Sequence, residues 1–95
     1  MGVVKNKKAS RRSNKDTVLG RKLFALRKKM PSIVIDKWYD WFAVQSPGMS
    51  KGTFNFITRG EYIAKKNEML AARSLSAGAE LLQEYRNQIR QVIGN

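Results

Sequence analysis

The side chains capable of chemistry in this chain are carboxylates and cations, because it contains no histidine and no cysteine. Without imidazole or thiolate there is no disulfide, no zinc site of the usual kinds, no cysteine nucleophile and no imidazole acid–base catalysis. Two carboxylate pairs stand at helical spacing, Asp36 with Asp40 and Glu80 with Glu84. Such pairs can bind a divalent ion or share a proton. Here Lys37 and Arg86 lie close in sequence, no histidine assists, and a solvated helix face is the simpler account. Gly60 and Gly78 stand alone, so no glycine-rich phosphate loop is present. The expectation is a binding protein rather than an enzyme, with no catalytic residue, metal, cofactor or small-molecule substrate.

The cations carry more information. Eleven of the first 30 residues are Lys or Arg and only Asp16 opposes them, so this segment holds +10 of the +12 formal charge. From residue 31 onward eight basic residues face six acidic ones. Charge concentrated in this way implies a polyanionic partner, and nucleic acid is the commonest. No apolar run approaches the roughly 18 residues that span a bilayer. The basic start lacks the apolar core of a secretion signal. Asn6 stands where N-myristoylation after Gly2 wants Ser or Thr. No membrane association is expected, and a cytoplasmic location follows.

The elements that must position these charges are helical. Residues 1–14 have no apolar stripe and read as a disordered basic arm. The remainder, 15–95, reads as one small all-α domain. A first helix is expected over about 16–30, capped by Asn14 or Ser13, with Leu19, Leu23, Leu26 and Met30 as its inner face and Pro31 as its stop. A second, over 33–45, would be capped by Ser32 and carry Val34, Trp38, Trp41 and Phe42. Ile33, Val34 and Ile35 favour a strand, but no pairing partner lies nearby. The aromatic spacing argues for core packing rather than stacking on unpaired bases. After the Pro47-Gly48 turn, Ser50 caps a third helix over 51–59, closed by Gly60. A fourth helical region spans 61–93, with a break near 74–78. Its seam places Leu75, Leu82 and Ile89 seven apart, with Gly78, Tyr85 and Val92 between them.

The segment Gly48-Met49-Ser50-Lys51-Gly52-Thr53-Phe54-Asn55-Phe56-Ile57 resembles the turn and recognition helix of bacterial and phage helix-turn-helix repressors, within a stretch running from Trp38 to Gly60. Gly48 permits a left-handed turn, Met49 plugs the angle between the helices, and Phe54 and Ile57 seat the second helix. Small Ala43 or Val44 lets the two helices approach. The alternative is a capped helix in a bundle with no DNA role. The resemblance implies that the outward side of the third helix enters the major groove. Lys51 would then reach a guanine or a phosphate, and Asn55 an adenine. Ser50, Thr53 and Arg59 would hold the backbone. Gly52 supplies no side chain on that face.

The expected nucleic-acid surface therefore comprises Lys7, Lys8, Arg11, Arg12, Arg21, Lys22, Lys28, Lys29, Ser50, Lys51, Thr53, Asn55 and Arg59. Leu75, Leu82, Tyr85, Ile89 and Val92 would pair two or more copies into a homodimer or higher oligomer. The function so read is binding of double-stranded DNA, in preference to RNA, as a transcription or replication regulator of a bacterium, phage or plasmid. The alternatives are a viral or phage genome-packaging protein, including one like a small terminase subunit and then virion-associated, an RNA-binding module, and a helical inhibitor of an acidic protein.

Overall fold

Apolar residues recur three and four apart through most of the chain, and helices are what forms. A computed structural model of the protein describes residues 17–94, which contain four α-helices and no strand. These are α1 (Val18–Lys28), α2 (Ser32–Gln45), α3 (Lys51–Thr58) and α4 (Glu68–Gly94), with a 3-10 turn at Lys65–Asn67 leading into α4. The protein is an all-α small helical bundle. The basic arm at 1–14, with Lys7, Lys8, Arg11 and Arg12, lies outside the described residues.

The helix starts differ from expectation for local reasons. The hydroxyl of Thr17 accepts the Gly20 N–H at 3.0 Å, so Thr17 caps α1 and the helix begins at Val18 rather than Asp16. Ser32 is the first residue of α2, not its cap. Pro31 takes the cap position in an extended conformation, and its carbonyl accepts the Val34 and Ile35 N–H groups at 3.0 and 3.1 Å. The strand tendency of 33–35 is overridden because Val34, Trp38 and Phe42, four apart, are buried together on one helix face.

The largest departure concerns the last third. Residues 61–67 are not part of the final helix. Ile63 is 3 % exposed and belongs to the core cluster, and seating it there takes this segment out of the helix before α4 starts at Glu68. The expected break at 74–78 does not occur, and α4 runs unbroken for 27 residues. Gly78 is a packing notch rather than a break. A Cβ there would lie 2.7 Å from Trp38 Cε2 and 2.9 Å from Leu26 Cδ2.

The core is built on that notch. Ala71, Ser74, Gly78 and Leu82 form the buried stripe of α4, and three of the four are small. Trp38 sinks fully against them, and its indole N–H donates to the Ser74 carbonyl at 3.0 Å. The buried Ser74 hydroxyl donates to Ala71 O, so neither polar group is stranded. Phe42 and Phe54 meet Trp38 edge to face, at 6.1 and 6.0 Å between ring centroids. α4 thus packs across α1 and α2, while α3 packs on the same two helices.

α1 is pressed onto the end of α3 by two glycines. Gly60 has φ +69°, and a Cβ on it would fall 2.5 Å from the Gly20 carbonyl oxygen. Gly20 is itself buried, which accounts for a residue that otherwise weakens its helix.

The notch predicts a reversed glycine effect. Gly78→Ala should lower unfolding free energy by about 1–3 kcal/mol, because overpacking against a rigid indole exceeds the ~1 kcal/mol gained in helix propensity. Urea unfolding followed by circular dichroism checks this, and a stabilised variant would contradict the packing.

Candidate nucleic-acid interface

Helix α3 is short, and its placement depends on the turn before it. The Ser46 N–H ends α2 by donating to Phe42 O at 2.8 Å, and Gly48 takes φ +89°. Met49 then packs against the core, while the Tyr39 hydroxyl donates to its carbonyl at 2.8 Å. Ala43 is half-buried, but Val44 is 74 % exposed and takes no part in the approach of the helices. The Ser50 hydroxyl accepts the Thr53 N–H at 3.1 Å and donates to Thr53 Oγ1 at 2.9 Å. Two candidate backbone-holding hydroxyls are thus engaged with each other as a helix cap.

Phe54, Ile57 and Thr58 face inward. Lys51, Gly52, Phe56 and Arg59 are exposed, while Thr53 and Asn55 are half-buried. The centre of the outward face is therefore Gly52, Phe56 and Arg59, with Lys51 and Asn55 on one flank. Lys51 lies 3.7 Å from Asp36 and 4.9 Å from the centre of the Tyr39 ring. Both partners of that ion pair are exposed, so it is weak and easily exchanged for another anion.

Asn55 is turned toward α1. Its Oδ1 accepts from Arg27 Nη1 at 2.9 Å, and Thr58 Oγ1 accepts from the same nitrogen at 2.6 Å. An adenine-reading carboxamide must offer Oδ1 and Nδ2 together. The bond from Arg27 takes one of the two Oδ1 lone pairs, which leaves Nδ2 as the wholly uncommitted group for a base.

Arg27 is the residue missing from the expected interface. The signal was in the sequence. Arg27 stands four residues after Leu23 and three before Met30, so it is a cation on the apolar stripe of α1. Its guanidinium lies 5.5 Å from the centre of the Phe54 ring. Burial, and secondarily the charge of Arg59, hold the Arg27 pKa below its ordinary value. Arginine remains protonated at neutral pH even so. Among the described residues no carboxylate comes within ion-pair distance of Arg27 or Arg59.

The rest of α1, with its C-cap Lys29, is a basic surface. Arg21, Lys22, Lys28 and Lys29 are exposed, and the helix has no acidic residue. Arg21 and Lys28 are seven apart and share a face, as do Lys22 and Lys29. The Lys28 ammonium sits 4.8 Å from the centre of the half-exposed Phe24 ring.

The seam of α4 divides. Leu82 is buried in the protein's own core, and Leu75 and Tyr85 pack against that core. Beyond Tyr85 every described residue is exposed, including Ile89, Val92 and Ile93. Asp36, Asp40, Glu80 and Glu84 are all outside the core, and no group of three metal-ligating side chains forms among the described residues. No described helix is long and apolar enough to cross a membrane.

No protein-family model, no curated protein and no solved structure matches this chain.

The cap has a measurable contribution. Ser50→Ala should cost about 1 kcal/mol of stability, as loss of an N-cap usually does. Chemical denaturation reads the change, and an unaltered midpoint would mean the cap bond adds nothing to the fold.

Proposed function

We propose that this protein binds double-stranded DNA, chiefly through backbone phosphates, as a small regulator of transcription or replication. The observation that carries the reading is α1: it holds Arg21, Lys22, Arg27 and Lys28 with no acidic residue, and it packs directly on α3. The arm extends this charge in sequence toward the N-terminus. Lys51, Arg59 and the free Nδ2 of Asn55 are the groups of α3 available to bases or phosphates. An outward face centred on Gly52 and Phe56 offers few hydrogen bonds, so phosphates supply most of the affinity.

Self-association belongs to the same reading. The last turns of α4 reach past the bundle with Ile89, Val92 and Ile93 uncovered. Pairing with a second copy covers that apolar surface and joins two weak DNA-binding units.

The test is fluorescence anisotropy with a random 30-base-pair DNA duplex and the matching RNA duplex, from low to moderate salt. DNA should bind more tightly than RNA, with affinity falling steeply as salt rises. Replacing Lys28 and Lys29 together by Gln should reduce the slope of log affinity against log salt by about 2, roughly one for each phosphate no longer neutralised. Equal affinity for both duplexes would sink the DNA reading.

Sedimentation tests the second element. The wild type should sediment as a dimer or larger species, and the double variant Ile89→Glu, Val92→Glu as a monomer. A wild type that is monomeric at every concentration would refute self-association.

A further inference from the structure

We propose that Arg27, held in place by Asn55 and Thr58, joins Arg59 in clamping one backbone phosphate of the bound nucleic acid. The proposal rests on the nucleic-acid reading above and deepens it by naming a site at the junction of α1 and α3.

The argument begins with the donors of Arg27. A guanidinium carries five N–H groups. Both hydrogens of Nη1 are taken, one by Asn55 Oδ1 and one by Thr58 Oγ1. Thr58 is fully buried, and its own hydroxyl donates back to Phe54 O at 2.9 Å, which fixes its acceptor direction. The Phe54 ring lies against the guanidinium. The group is therefore held on one edge and one face, while the donors on Nη2 and Nε have no acceptor among the described residues.

The charge is as unbalanced as the donors. Asn55 and Thr58 satisfy hydrogen bonds but are neutral, and the neighbouring charge is another cation, Arg59. A half-buried arginine with a purely structural role is ordinarily paired with a carboxylate. Here the described ion pair joins Lys51 to Asp36 instead. Arg59 stands one turn after Asn55 and next to Thr58, the two residues that hold Arg27, so two like charges share this end of α3 without a counter-charge, and an anion bound by both offsets their repulsion.

Geometry selects the anion. The open Nη2–Nε edge of an arginine offers two parallel donors, which match two oxygens of a tetrahedral phosphate. Arg59, at the C-terminal cap of α3 and exposed, supplies the second charge. Because Arg27 is already held, little side-chain entropy is lost on binding. A strand that reaches this point also passes α1, where Arg21 and Lys28 share a face.

Arg59→Gln carries the test, since Arg59 is exposed and takes no part in the core. The probe is the 30-base-pair duplex titrated at several salt concentrations, with thermal melting of the free protein alongside. The expected result is a loss of about 0.9 from the salt slope, with a melting temperature that is unchanged or raised. Asn55→Asp, which sets a carboxylate on Arg27, should raise the melting temperature and remove a similar slope. A purely structural arginine cluster would shift the melting temperature and leave the slope alone.

If the wild type binds DNA but both variants keep its slope, the clamp is wrong and the DNA reading stands. If the wild type binds neither duplex, both fall. If inorganic phosphate, compared with chloride at equal ionic strength, stabilises the wild type and not Arg59→Gln while the DNA slope is unchanged, the site takes free phosphate and the nucleic-acid clamp is refuted.

Discussion

The contact between Trp38 and Gly78 organises this protein. Within α4 the Ser74 carbonyl points along the helix toward residue 78. A side chain at 78 would cover it. Glycine leaves it open, and the Trp38 indole enters, setting its ring edge on the bare backbone and donating to that carbonyl. One residue thus joins hydrophobic burial to a satisfied hydrogen bond, and it does so at the crossing of α2 with α4. Phe42, Phe54 and Leu26 pack around the same point.

The position of the basic surface follows from that crossing. Phe54 is the inward residue of α3 that touches Trp38, Tyr39 and Phe42 at once. Its burial sets the rotation of α3, and the rotation decides which side chains face out. Arg59 and Phe56 turn to solvent, while Asn55 turns to α1. The Gly20–Gly60 approach then brings α1 close enough for Arg27 to reach Asn55 and Thr58. A charge that is merely one of eleven in the basic first third of the sequence becomes half-buried, oriented and unpaired.

The two ends of α4 illustrate a different balance. Its first half has small residues because a large indole must fit, and its last turns have large apolar residues with nothing to fit against. The seven-residue spacing runs through both halves, so periodicity alone reads them as a single association seam. Leu75, Leu82 and Tyr85 are occupied within the chain, and only Ile89 and Val92 of that set are left uncovered. Apolar spacing records that a residue needs cover, not which surface provides it.

Much of the fold was legible from local chemistry. Helical apolar spacing, Pro31 after the first helix, Ser50 before the third and Gly60 after it are signals of short range, and each depends on neighbours within about one turn. The concentration of positive charge in the first third of the chain is likewise legible without coordinates. Three features were decided only by tertiary structure. Gly78 is a notch and not a break, because an indole 40 residues away in sequence fills it. Residues 61–67 leave the helix because Ile63 has a core to reach. Asn55 and Arg27 meet because two glycines bring their helices together. In each case the deciding partner is remote along the chain, and a pattern read along the chain carries no distance between remote residues.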